Sequence, residues 1–147
     1  MILGSVNKGY VRFQTAEMKQ LIPPYSKPNG WREKEPILFE IDYWWNSKQD
    51  NSDTRIFFKV VISPGENERL IETLRQIIES VEGSKAPYGK KWLAYFTFKK
   101  KYDWNAVNED ESNIQEYIDS AWEKIIPVVE KVNQAIIDNS QKIKDCL

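Results

Sequence analysis

Two alternating stretches constrain this chain more than anything else in it. In PILFEIDYWW, Ile37, Phe39, Ile41, Tyr43 and Trp45 share one face by the two-residue period of an extended chain, and Leu38, Glu40, Asp42 and Trp44 share the other. After the polar stretch NSKQDNSD comes TRIFFKVVI, with Ile56, Phe58, Val60 and Ile62 on one face. Two such runs joined by a short polar connection predict an antiparallel hairpin. Its apolar face must be buried, so the rest of the chain has to supply a cover.

The cover is readable further along. ENERLIETLRQIIESVEG, from Glu66 to Gly83, places Leu70, Leu74, Ile77, Ile78 and Val81 on one stripe at helical spacing. Glu66 and Glu68 suit the positive end of the helix dipole, and Gly83 suits its stop. A last helix carries Ile114, Tyr117, Ile118, Ala121, Trp122, Ile125, Val129, Val132 and Ile136. Ser112 and Gln115 have capping-box spacing at its start, and Pro127 is expected to kink it or split it in two. GYVRFQT reads as a short strand, with Tyr10, Arg12 and Gln14 against Val11, Phe13 and Thr15. AEMKQLIPP holds at most a helical turn before Pro23 and Pro24, and PPYSKPNG is a loop. KKWLAYFTFKK is a third long strand, expected to place Trp92, Ala94, Phe96 and Phe98 on one face and Leu93, Tyr95 and Thr97 on the other. MILGS is assigned to no element. The expectation is a single α+β domain over residues 1–147. It has a mainly antiparallel sheet of about four strands, ordered β-β-β-α-β-α along the chain and packed against two helices.

Chemistry is narrowed by what is missing. The chain has no histidine and one cysteine, Cys146. Histidine-based triads and the usual zinc ligand sets are therefore excluded. Neither GxGxxG nor a P-loop is present, so no nucleotide cofactor is implied. A net charge of −1 means that any nucleic-acid surface must be a local patch. No apolar run approaches the ~20 residues that span a bilayer. With a lone cysteine and no visible signal peptide, the expectation is a cytoplasmic protein without membrane contact.

One constellation resembles a catalytic set. Glu40 and Asp42 lie on one face of a strand, and Lys59 lies on its expected neighbour. Two carboxylates and a lysine so placed can hold Mg²⁺ and polarise a water, as in nucleases of the PD-(D/E)xK type. That chemistry needs an acid two positions before the lysine, where this chain has Phe57. Cross-strand charge pairs are the simpler reading, with a degenerate metal-dependent nuclease as the alternative.

The binding residues are suggested by KKWLAYFTFKKKYDW. Lys90 and Lys91 precede the strand, and Lys99, Lys100 and Lys101 end it beside Tyr102 and Trp104. Lysines next to aromatics can meet phosphates and stack a base. Lysines at strand ends also discourage edge pairing, which makes this a core strand first and a grip second. Trp44 and Trp45 point to opposite faces, so one indole is a candidate anchor for a protein partner. A small self-associating subunit built on this aromatic hairpin is a third alternative.

Several motifs, taken in order, give a resemblance. They are GW at Gly30 and Trp31, LFEI at 38–41, SPG followed by Arg69, KKW at 90–92, and Trp122 in the closing helix. From about Gly9 to Ile137, the chain resembles the region that follows the catalytic core in a group of bacterial PD-(D/E)xK-superfamily nucleases linked to defence or mobile elements. In that family the nuclease motif lies upstream. The resemblance thus implies a non-catalytic accessory domain that contacts protein or nucleic acid.

Overall fold

The computed structural model describes residues 1–6, 9–44, 54–102 and 111–147. Among them runs a five-stranded antiparallel sheet whose spatial order equals its chain order. The strands are β1 (Ile2–Val6), β2 (Tyr10–Gln14), β3 (Ile37–Trp44), β4 (Thr54–Ile62) and β5 (Leu93–Tyr102). The helices are α1 (Ala16–Leu21), α2 (Glu68–Glu79), α3 (Glu111–Asp138) and α4 (Ser140–Lys144). The α+β class and the antiparallel sheet match the pattern of the sequence. Strand β1 adds a fifth member, drawn from residues assigned to no element, and α1 and α4 add two short helices.

The expected β3–β4 hairpin forms, and its register sets Phe39 opposite Val60 and Ile41 opposite Phe58. Phe13, Ile37, Phe39, Ile41, Phe58, Val60 and Ile62 make the floor of the main core. Leu70, Leu74, Ile77 and Ile78 of α2 cover it, together with Ile125, Val132 and Ile136 of α3 and Ile143 of α4. Phe39 stacks on Phe13 at 5.2 Å and on Phe58 at 6.0 Å. Burial of this area is the main term holding the helices to the sheet, since helices of this length gain little from propensity alone.

The helix boundaries differ from the expectation for local reasons. Helix α2 starts at Glu68 because Asn67 caps it, its Oδ1 accepting from Leu70 N at 3.0 Å. The Asn67 amide also donates to the Cys146 carbonyl at 2.8 Å, tying the helix start to the chain's last residues. Glu66 lies outside the helix and instead accepts from Ser26 N at 2.6 Å and Ser26 Oγ at 2.7 Å. Helix α3 already begins at Glu111, so Ser112 is inside it rather than its cap. Pro127 does not divide α3, which is continuous over 28 residues. A mid-helix proline costs about 3 kcal/mol. Here Ala121 and Ile125 before it and Val132 and Ile136 after it are buried, and that shared burial holds the two halves together.

Strand β5 departs from simple alternation. Phe58 pairs with Phe98, whereas Val60 pairs with Tyr95, so two residues of β5 face Lys59 alone. Phe96, with φ of 54°, sits in this bulge. Downstream of it, Phe98 joins the main core; upstream, Leu93 and Tyr95 do so while Trp92 and Ala94 turn to the opposite face. The expected grouping of Trp92, Ala94, Phe96 and Phe98 on one face is therefore corrected, because one inserted residue swaps the parity. A β-branched residue tolerates positive φ poorly. Phe96→Val is expected to cost about 1–3 kcal/mol more than Phe98→Val, by the strain of an unfavourable φ. Chemical-denaturation midpoints of the two variants measure the difference.

Candidate functional site

The helices cover one face of the sheet. The other face divides into a dry end and an open end. At the dry end Trp31, Leu38 and Val61 are buried, with Trp92 and Ala94 packed on them. The segment bearing Trp31 is fastened by Ser63 of the SPG motif. The Ser63 hydroxyl donates to Glu35 O at 2.7 Å and accepts from the Asn29 amide at 3.0 Å. Asn29 Oδ1 in turn accepts from Trp31 N at 3.0 Å. Gly30, with φ of 102°, lets Trp92 approach, since a Cβ there would lie 2.9 Å from the indole. The tryptophans of GW and KKW are thereby brought face to tilted face, with ring centroids 4.8 Å apart.

Next along this face lies a charged row. Register places Arg12 beside Glu40 and Glu40 beside Lys59. Arg12 Nε meets Glu40 Oε2 at 2.5 Å, and Lys59 Nζ meets Glu40 Oε1 at 3.0 Å and Asp42 Oδ2 at 2.8 Å. The Arg12 guanidinium also stacks, 4.0 Å from the Tyr10 ring centre and 5.2 Å from that of Trp31. A chain of contacts thus crosses the sheet from Trp92 through Trp31 and Arg12 to Tyr10.

Burial pushes the Glu40 carboxyl up, but the hydrogen bonds and charges of Arg12 and Lys59 outweigh it and hold the group below the usual glutamate range. At Asp42 burial wins, reinforced by the neighbouring Glu40 charge, and the carboxyl is raised. Burial pulls the Lys59 ammonium down, but its bonds to Asp42 and Glu40 more than reverse this.

The predicted trio of Glu40, Asp42 and Lys59 does converge. Each carboxylate is already engaged by a cation, and Phe57 stands opposite Asp42 in the ladder, where the nuclease chemistry needs an acid. Among the described residues, no group of three or more histidine, cysteine or acidic side chains is placed to hold a metal.

Beyond the charged row the face is open. Tyr10, Asp42, Phe57 and Lys99 occupy one register row, and Trp44, Arg55 and Lys101 the next. Loop residue Tyr88 leans over this region. Its backbone pairs with Ala94, N to O at 2.8 Å and O to N at 3.0 Å, while its side chain is 80% exposed. Gly89, with φ of 91°, makes that turn, because a Cβ there would lie 2.4 Å from Trp92 O. Two adjoining cavities result. One of about 450 Å³ is lined by Arg12, Trp31, Glu40, Lys59, Tyr88 and Trp92. Another of about 510 Å³ is lined by Asp42, Phe57, Lys59, Tyr88 and Thr97.

The predicted lysines separate. Lys99 and Lys101 fall in the rows of the open face, whereas Lys100 is on the helix side, its Nζ 5.7 Å from the Tyr117 ring centre and its carbonyl accepting from Tyr117 Oη at 2.9 Å. Lys90 and Lys91 are exposed in the turn between Tyr88 and Ala94, before β5 begins. Trp44 closes β3, and Trp45 and Trp104 lie outside the described residues. Arg12, Tyr10 and Tyr88 escaped the sequence reading. Arg12 and Tyr10 had one usable signal, the parity they share in a short strand. Among the described residues, no helix is long and apolar enough to cross a membrane.

Comparison with family models, with curated proteins and with solved structures returned no match to this chain.

Removing one partner of a buried ion pair leaves the other charge uncompensated. Glu40→Gln is therefore expected to destabilise the fold by about 3–5 kcal/mol, read from urea unfolding at neutral pH. The sign of its pH dependence follows from a depressed folded-state pKa. The wild-type advantage is fully present above the unfolded-chain glutamate value of about 4.3 and is lost as pH falls through the lower folded value. A gap between wild type and variant that widens on acidification would contradict this assignment.

Proposed function

We propose that this chain is a non-catalytic binding domain whose open sheet face holds single-stranded nucleic acid. One observation carries the proposal. On the uncovered face, aromatic and charged positions lie side by side in cross-strand register, Tyr10, Asp42, Phe57 and Lys99 in one row and Arg55 in the next. Among the described residues, the cations Arg12, Arg55, Lys59 and Lys99 share that side of the ladder with the acids Glu40 and Asp42. A local cationic excess beside π-faces is the chemistry that a single strand's phosphates and unpaired bases require. The overall charge of −1 confines this affinity to one face. The resemblance to the accessory region of PD-(D/E)xK-type nucleases supports a place beside a nuclease in a defence or mobile-element system. It implies no chemistry for this chain itself.

Fluorescence anisotropy with labelled single- and double-stranded DNA and RNA tests the proposal. Single strands are expected to bind more tightly than duplexes, with affinity falling steeply as salt rises. Joint reversal of Arg55→Glu and Lys99→Glu is expected to weaken binding by about tenfold or more and to flatten the salt slope by about 0.7 per lost phosphate contact. Reversal at Lys90 and Lys91, in the turn before β5, is expected to cost less. No binding at low salt would sink the proposal and redirect the search to a protein partner at the same face.

Catalysis by Glu40, Asp42 and Lys59 is the competing reading, favoured only by their convergence. A divalent ion would have to displace Arg12 and Lys59 from Glu40, at the cost of breaking two ion pairs on a buried carboxylate. Incubation of labelled DNA and RNA with the protein and Mg²⁺ or Mn²⁺ is expected to leave them intact. Cleavage that Asp42→Ala abolishes would establish the nuclease instead.

A further inference from the structure

The cavity of about 510 Å³ between Tyr88 and the Asp42–Lys59 pair contains more than a charged strip needs. We propose that it is a base pocket selective for guanine. This rests on the reading of the open face as a nucleic-acid surface and specifies what one part of that surface recognises.

Its size falls within the range of small-molecule sites. Its walls include Phe57, partly buried on the sheet, and Tyr88 on the overhanging loop. Tyr88 stands out chemically. It is the only aromatic among the described residues' exposed large hydrophobics, yet both of its backbone hydrogen-bonding groups are tied to Ala94. An exposed ring on a fixed backbone loses little entropy when a planar ligand stacks on it.

The polar side of the cavity is specific. Lys59 Nζ and Asp42 Oδ2 lie 2.8 Å apart, presenting a donor and an acceptor next to each other. An ammonium has three donors, of which Glu40 and Asp42 take two. A carboxylate has about four acceptor sites, so the bond to Lys59 leaves Asp42 able to accept more. Unpaired bases are read along their Watson–Crick edges. Guanine presents a keto oxygen and then two adjacent N–H donors along that edge. It alone among the common bases offers two neighbouring donors to one carboxylate while giving an acceptor to a cation beside it. Adenine and cytosine have one donor group next to a ring acceptor, and uracil has a single donor between two acceptors. The quartet of Arg12, Glu40, Lys59 and Asp42 is formally neutral, which suits an uncharged base.

Isothermal titration of the full chain with GMP, AMP, CMP and UMP tests this directly. GMP is expected to bind about tenfold or more tightly than the others, the discrimination of one good bidentate contact. Asp42→Asn keeps a hydrogen-bonding group for Lys59 and is expected to abolish the preference, so that GMP and AMP bind this variant equally. Tyr88→Ala, at an exposed position where folding is not at risk, is expected to weaken all four. Equal affinity for the four nucleotides overturns the guanine assignment. No nucleotide binding alongside retained oligonucleotide binding overturns the pocket and leaves the face. GMP binding without any oligonucleotide affinity supports the pocket and overturns the face, and loss of both overturns both.

Discussion

Glu40 holds the second face of this sheet together. The residue is 6% exposed in the middle of an eight-residue strand, and its carboxylate joins three strands through Arg12 on β2 and Lys59 on β4. A buried carboxylate is costly unless each oxygen finds a partner, and here each has a cation. The same contacts seat Arg12 between Tyr10 and Trp31 and draw Lys59 toward Asp42. An apolar residue at position 40 would pack more simply, but it would take from Arg12 its carboxylate partner and leave Lys59 with Asp42 alone.

The two faces divide the work. The helix side supplies the stability, through aromatic and aliphatic packing that excludes water. The other side is only half covered. Trp31 and Trp92 seal one end, and the open end keeps charges and rings at the surface. The bulge in β5 stands at the border between them. By swapping parity it turns Trp92 and Ala94 toward the small second core while Phe98 remains in the large one. Without that inserted residue, Trp92 would belong to the helix side and Trp31 would lose its partner.

Much of the framework was legible in the residues. Strands β3 and β4 alternate so regularly that their faces followed from parity, and with them the placing of Glu40 and Asp42 beside a strand that carries Lys59; the register that sets Glu40 opposite Lys59 came from the structure. Helix α2 was legible from its stripe. Its first residue was not, because Asn67 and Glu66 compete for the end through contacts with Cys146 and Ser26, far off in the chain. The trio's chemistry was half legible. Its neighbourhood was expected, but Arg12 was hidden in a weakly alternating segment, and it is Arg12 that completes the shell around Glu40. The lysine run looked like one cluster in sequence, yet strand geometry sends Lys100 to Tyr117 and Lys99 to the other side.

By itself the sequence determined the element types, the apolar face of the central hairpin and the absence of histidine chemistry. These depend on residue type and short-range period, which need no knowledge of neighbours. Only the tertiary structure decided which face stays open, that GW and KKW meet, and that Tyr88 overhangs Lys59. Those outcomes depend on one bulge at Phe96, two glycines at positive φ and hydrogen bonds spanning tens of residues. Each is a long-range steric or electrostatic choice to which local periodicity is blind.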